Sequence, residues 1–313
     1  MEKYITESAS GKWSVRFSKK IKNPRRLGAY DTLVLAIAAR DKYLASVGEM
    51  ALEQAEVNQS IKSKTIVGAQ SVVFLADLHC PYQDDVAIDL ACKILNRVQP
   101  DLVVFGGDVI DFYHISTFVS DPKRRDTTQD EIDIWKKVAR KIMAATGKSR
   151  FIMIGGNHEA RLYRHLCSNP GLFSLDALRL PSLLGLNELG IEYVDADLEL
   201  FNQKLVLKHG RYYSSIAGSA VKKEVGTRAW QQSVIQGHEH KLGYYRVNGP
   251  LWSVGGWSVG CLCVLDCWYS TEPQYWEQGL AVIASQGDFF NVENIRFDGD
   301  KVIFRGECIN GNI

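Results

Sequence analysis

Short apolar runs that end abruptly in polar, chemistry-bearing residues recur five times along the chain. Residues 71–76 run into Asp77-Leu78-His79, and Leu102–Phe105 runs into Gly106-Gly107-Asp108-Val109-Ile110-Asp111. Residues 151–154 lead to Gly155-Gly156-Asn157-His158-Glu159, residues 205–207 to His209-Gly210, and residues 234–235 to Gly237-His238-Glu239-His240. Such runs, apolar at every position rather than at every second one, are expected of parallel strands buried on both faces. Parallel strands need crossovers. Asp85–Val98 has helical spacing and supplies the first, and 129–145 reads as a further amphipathic helix. Open α/β sheets bind ligands outside the carboxyl ends of their strands, so the five tips predict one polar crevice.

Ahead of this region the pattern changes. Trp13, Val15 and Phe17 alternate with polar residues as in a half-buried strand, Asn23-Pro24 marks a turn, and 26–30 reads as a second strand. Asp31 and Thr32 offer an N-cap to a helix carrying Leu33, Ala36, Ile37, Arg40, Tyr43 and Leu44 on one face, with Gly48 as its stop. Residues 49–64 read as a helix tail and linker. The expected organisation is a small α+β module over 1–60 and a large domain over 65–313. In the second half, 172–189 reads as helix interrupted near Pro181, and 198–208 as strand. Residues 243–267 and 289–308 have hairpin-like alternation, with Asp298-Gly299-Asp300 a turn. A largely antiparallel second sheet is therefore expected, which makes the large domain a four-layer α/β/β/α sandwich.

Charge changes the picture locally. The formal net charge is +1, yet residues 8–30 hold Lys12, Arg16, Lys19, Lys20, Lys22, Arg25 and Arg26 and no acidic residue, leaving the rest acidic in balance. The 7 cysteines are scattered, and the chain opens with Glu2 and Lys3 rather than an apolar leader, so a reduced, intracellular, cytoplasmic setting is expected. Cys261, Cys263 and Cys267 lack the C-x-x-C spacing of structural zinc sites and alternate with apolar residues. They read as buried strand cysteines, and Cys80 reads as packing. No apolar run has membrane-spanning length, so a soluble protein with no membrane partner is expected.

Five of the 7 histidines lie on the strand tips. Imidazoles, carboxylates and an amide oxygen suit manganese, iron, zinc or magnesium hydrolytic centres, and a carboxylate at Asp108 is placed to bridge two ions. In this order, Asp77-x-His79, Gly107-Asp108-x-x-Asp111, Gly156-Asn157-His158-Glu159, His209-Gly210 and Gly237-His238-x-His240 resemble the full motif set of the calcineurin-like metallophosphoesterases. The resemblance implies two divalent ions, foremost Mn2+, with Fe, Zn or Mg as alternatives. Asp77, His79, Asp108 and His240 would hold one, and Asp108, Asn157, His209 and His238 the other. It further implies phosphoester hydrolysis by a water activated between the ions, with His158 as general acid or leaving-oxygen donor and Asp111 and Glu159 behind the ligands. Arg161 is a candidate for a substrate phosphate or a helix-surface arginine. His114 and His165 lie off the motifs and receive no role.

The amino-terminal pattern, Gly11 to Phe17, Leu27 to Thr32 and Ala36 to Arg40, resembles the small three-strand-plus-helix DNA-binding modules of plant ethylene-response factors and phage integrases. Its basic residues would lie on phosphates and base edges; the alternative is a solvated basic hairpin that caps the enzyme. Lys123-Arg124-Arg125 reads as a solvated loop or a phosphate contact. The protein-phosphatase branch carries arginine and glycine after the second aspartate of its motif and arginine before Gly-Asn-His-Glu. Here Phe112 and Tyr113 follow Asp111 and Gly155 precedes Gly156, which counts against a phosphoprotein substrate. The expected activity is a phosphodiesterase or nuclease acting on DNA, with hydrolysis of nucleotides or other small phosphoesters as the alternative. A DNA-binding-like module joined to an enzyme would suit a phage or mobile-element protein.

Overall fold

The computed structural model describes residues 5–8, 11–16, 26–33, 35–36, 39, 63–117, 124–228, 230–249, 253–266 and 275–312. The chain divides into two compact units, 1–61 and 62–313. In the first, β1 (Ile5–Glu7), β2 (Trp13–Arg16) and β3 (Arg26–Tyr30) form an antiparallel sheet in that order, with Trp13 opposite Tyr30 and Val15 fully buried. Thr32 starts the helix as its capping chemistry suggests: its Oγ1 accepts from the Leu35 N–H at 3.3 Å and its carbonyl from the Ala36 N–H at 3.2 Å. The body of the expected 33–44 helix, Phe17, Lys19, Lys20, Lys22, Arg25, Lys123 and Cys267 lie outside the described residues, as do the side chains of Arg16 and Arg26.

The second unit opens with β4 (Lys64–Thr65), followed by β5 (Ser71–Leu75), helix α1 (Asp85–Val98), β6 (Leu102–Phe105), helix α2 (Thr128–Ala144), β7 (Arg150–Ile154) and β8 (Ile191–Val194). Strands β5 to β8 run parallel in chain order. Antiparallel β14 (Gly279–Gln286) and β15 (Phe289–Arg296) extend this sheet beyond β5. Both helices start on capping side chains: the Asp84 carboxylate accepts from Val86 and Ala87 N–H, and Thr127 and Asp130 form a reciprocal capping box.

A second six-stranded sheet has the order β12 (Gly243–Asn248), β13 (Ser253–Ser258), β11 (Ser233–Gln236), β10 (Leu205–Lys208), β9 (Leu198–Leu200), β4. It is mixed rather than largely antiparallel, because β10 pairs parallel with β11, β11 with β13, and β4 with β9. Helix α3 (Glu159–Cys167) follows β7, and α4 (Ser219–Thr227) covers the second sheet. A small hairpin of β16 (Lys301–Phe304) and β17 (Glu307–Asn310) follows the turn at 298–300. The 172–189 stretch forms one-turn helices at Pro170–Phe173, Leu180–Leu183 and Leu186–Leu189 instead of one interrupted helix. Pro181 lies in the first turn of the middle one, where its missing N–H is no loss.

The layers explain the apolar runs. Val73, Leu75, Val103, Phe105 and Met153 face α1 and α2, while Val72, Phe74, Val104, Ile152 and Ile154 meet Leu198, Leu205, Leu207 and Ile235 between the sheets. Each such side chain is worth about 1.5–3 kcal/mol on burial, so these strands lock both neighbouring layers to one another. Val206 and Val234 point the other way, onto Val221 and Val225 of α4, which completes the α/β/β/α order. Among the described residues no helix is long and apolar enough to cross a membrane.

Candidate metal centre

All five tips meet in one place, delivered by two sheets rather than one. Asp77 and His79 follow β5, Asp108 follows β6, and Asn157 and His158 follow β7 in the first sheet; His209 follows β10, and His238 and His240 follow β11, in the second. The backbone is forced there into an unusual shape. Asp77, His79, Asp108, His238 and His240 all have positive φ, between 49° and 74°. This left-handed region costs a non-glycine residue about 1–2 kcal/mol, and clusters of such residues mark functional sites. Gly107 (φ +90°) packs so tightly that a Cβ would lie 2.8 Å from His209 Nδ1, and a Cβ on Gly156 would strike the Asp108 carboxylate.

Hydrogen bonds fix which imidazole nitrogens face the centre. His209 Nδ1 donates to the Gly106 carbonyl at 2.9 Å, so its Nε2 points at Asp108 Oδ2 (3.2 Å), Asn157 Oδ1 (3.0 Å) and His238 Nδ1 (3.2 Å). His79 Nδ1 faces Asp111 Oδ1 at 3.3 Å, turning Nε2 toward His240 Nε2 (3.1 Å), Asp108 Oδ2 (3.8 Å) and Asp77 Oδ1 (4.0 Å). His240 Nε2 lies 3.4 Å from Asp77 Oδ1, and that buried oxygen has no hydrogen-bond partner. Imidazole nitrogens and carboxylate oxygens crowded this closely need positive charge between them, supplied by protons on His209 and His240 or by cations that displace those protons. Asp77, His79 and His240 form one group able to hold an ion, and Asp108, His209 and His238 another.

The electrostatics agree. Burial alone would raise Asp108, yet His209, His158 and His79 hold it well below the usual carboxylate range. Burial would lower His209 and His240, but Asp108 pushes His209 up to about 10 and Asp77 pushes His240 up to about 9. His79 and His238 are lowered by burial, assisted by His158 and His209 respectively. Both groups thus attract positive charge. The carboxylate of Glu159, itself raised by burial and by Asp108, receives three backbone N–H groups: Asp108 (2.9 Å), Val109 (2.9 Å) and Gly156 (2.7 Å).

The chain matches the calcineurin-like phosphoesterase family over residues 71–254, a span holding every one of these tips. It belongs to that family. This calcineurin-like phosphoesterase is a metal-dependent phosphoester hydrolase. Similar solved structures include wild-type Vps29 complexed with Zn2+ from Entamoeba histolytica, 12% identical with 76% of this chain and 96% of that one covered, TM-score 0.39. Vacuolar Protein Sorting 29 from Cryptosporidium parvum is 14% identical, with 77% and 95% covered, TM-score 0.39. No curated protein matches the phosphoesterase.

Around the centre the phosphoesterase carries residues that the motifs do not announce. Trp276 meets the His240 ring edge-on, centroids 4.2 Å apart. Arg124 is neither a solvated loop residue nor a phosphate ligand. Its guanidinium, 5% exposed, binds Glu131 (2.7 Å), Asp126 (2.8 Å) and the Tyr82 hydroxyl (2.7 Å) and lies over Tyr113, bracing the loop beyond Asp111. Lys12 is exposed and pairs with Asp31 at 3.5 Å. His114 faces the Asp126 carbonyl and His165 is exposed, both away from the centre. Cys80 is buried, and Cys261 and Cys263 are buried beside His240.

Proposed function

We propose that this hydrolase cleaves phosphodiester bonds in DNA, with two divalent cations, foremost Mn2+, held about Asp108. Asp77, His79, Asp108 and His240 would hold one and Asp108, Asn157, His209 and His238 the other; the observation that carries this is the convergence of His209 Nε2 and His79 Nε2 on Asp108 Oδ2. When bound, the pair supplies Lewis acidity, charge neutralisation and an activated water.

His158 lies beside His79 and Asp108, in a group that could itself hold an ion, but its role is that of proton donor rather than ligand. Its Nδ1 is tied to Asp111 (carbonyl 2.9 Å, Oδ1 3.0 Å), and its Nε2 lies 3.8 Å from Asp108 Oδ2 and 3.0 Å from Arg161 Nη2. Burial would lower His158, but Asp108 and Asp111 keep it raised, which suits a group that gives a proton to a leaving oxygen. Arg161, anchored by Nη1 on the Asp111 carbonyl at 2.8 Å, is placed to exchange its contact with His158 for a phosphate oxygen. Asp111 and Glu159 hold imidazoles and backbone in place.

The basic, acid-free sequence of residues 8–30, which includes β2 and β3, supports a polyanionic substrate. A second reading, a small phosphoester, is favoured by the pairing of Lys12 with Asp31. The test is Mn2+-dependent hydrolysis of labelled DNA and of a generic phosphomonoester, by the full chain and by a Lys12→Ala, Arg16→Ala, Arg26→Ala variant. DNA cleavage that falls with salt and with the triple substitution upholds the DNA reading; cleavage of the monoester alone, unchanged by the substitutions, replaces it with the second.

A further inference from the structure

The segment Cys261-Leu262-Cys263, bent at Leu262, passes directly behind the metal centre. Leu262 N–H donates to the Asp77 carbonyl at 3.0 Å, and Cys261 N–H donates to the Glu277 carbonyl at 2.9 Å. The Cys263 carbonyl accepts from Gln278 Nε2 at 2.9 Å, and bridges to Gln278 and Gln83 hold the two cysteine backbones. Leu262 packs into the core, while both sulfurs come together on one side. That side is His240. The Cys263 Sγ lies 4.0 Å from His240 Nδ1, and the two sulfurs and a His240 ring nitrogen all lie within 4.8 Å of one another, buried.

His240 differs here from its neighbours. His79 turns its outer nitrogen to a carboxylate and His209 to a backbone carbonyl, the usual oxygen partners of a metal-bound imidazole. His240 turns its outer nitrogen to sulfur instead. Among the described residues the Cys261 thiol meets the Glu277 carbonyl at 3.6 Å, the Cys263 carbonyl at 3.9 Å and the Cys263 side chain. Neither cysteine is in a disulfide.

We propose that Cys261 Sγ, Cys263 Sγ and His240 Nδ1 form a further cation site, for a thiophilic ion of the Zn2+ class. Two sulfurs and an imidazole are a borderline-soft donor set, distinct from the sulfur-free nitrogen-and-oxygen sets around Asp108, so the two kinds of site favour different ions. Binding releases the two thiol protons and the Nδ1 proton to solvent, and the ring then joins this ion to the one at its Nε2. The proposal rests on the dinuclear reading only in giving His240 that second neighbour.

The test uses the full chain, stripped by a chelator under reducing conditions and titrated with Co2+ or Cd2+. A thiolate-to-metal charge-transfer band in the near ultraviolet reports sulfur ligation, which the Asp108 sets cannot give. The expected result is a band in the wild type, its loss in Cys261→Ser and in Cys263→Ser, and a fall from three bound ions to two by native mass spectrometry. No band at any loading of the wild type overturns the proposal, and this holds whatever the variants do. A band that survives in both variants also overturns it. Mn2+ uptake by a Cys261→Ser, Cys263→Ser double variant tests the dinuclear reading separately: two ions uphold it, none sinks it.

Discussion

The backbone N–H of Asp108 is held at 2.9 Å by the carboxylate of Glu159, fifty-one residues further along the chain. The same carboxylate takes Val109 and Gly156 N–H, so one side chain clamps the two turns that carry Asp108 and Asn157. Glu159→Ala would leave three buried donors without an acceptor, at about 1–3 kcal/mol each. The expected loss is at least about 3 kcal/mol in denaturant unfolding of the metal-free chain, with Glu159→Gln between variant and wild type. A loss near zero would mean that the loop relaxes onto other acceptors and that Glu159 is not its clamp.

Asp111 and His158 separate by kinetics. Asp111 touches both His79 Nδ1 and His158 Nδ1, so Asp111→Ala is expected to weaken metal uptake and turnover together, each by about 10–100-fold. His158→Ala should leave metal uptake intact and lower kcat by about 10²–10⁴-fold at saturating metal. Metal titrations beside rate measurements check both; lost metal in His158→Ala would make it a ligand.

The five tips were legible in the sequence because each joins a buried parallel run to residues with one chemical use. Their division between two sheets was not. A strand buried on both faces, such as Val103 to Phe105 or Leu205 to Leu207, carries no periodicity that tells which neighbour it pairs with. Arg124 was misread because composition cannot show that Glu131, seven residues on, is buried under the same loop. Cys261 and Cys263 looked like strand cysteines and are buried as such, but nothing local places His240 against them. The α1 helix, by contrast, was bounded correctly at Asp85–Val98 by its regular apolar spacing, and the structure adds the Asp84 cap.

Metal uptake should strengthen with pH. The raised His209 and His240, at about 10 and about 9, carry protons at neutral pH that an ion must displace. Affinity for Mn2+ is therefore expected to rise from pH 7 toward pH 9–10, with proton release visible as buffer-dependent heats in calorimetry. For the metal-free chain the sign is opposite. Histidines raised on folding stabilise fully below their unfolded value near 6.5, and that contribution is lost as pH rises through about 9 and 10. A metal affinity that does not change with pH would show that neither histidine binds the ion.

Arg124 and Glu131 form a buried pair beneath the loop after Asp111. Burial pushes Glu131 up to about 7 despite the arginine. Arg124→Ala strands the carboxylate and should cost about 3–5 kcal/mol. Because Glu131 is raised on folding, the cost should be largest at alkaline pH and shrink as pH falls below about 7 and the carboxyl takes a proton. Glu131→Gln in the Arg124→Ala background should remove that pH dependence in unfolding curves.

Each of the two groups able to hold an ion draws on both sheets: His240 is the second sheet's contribution to one, His209 and His238 to the other. Ions seated there would act as rivets across the layer boundary, adding to the apolar seam between Phe74 and Leu207 a cross-link made or undone by chelation. Loading the centre would then toughen the whole sandwich against heat and proteases, and stripping it would loosen the tips first.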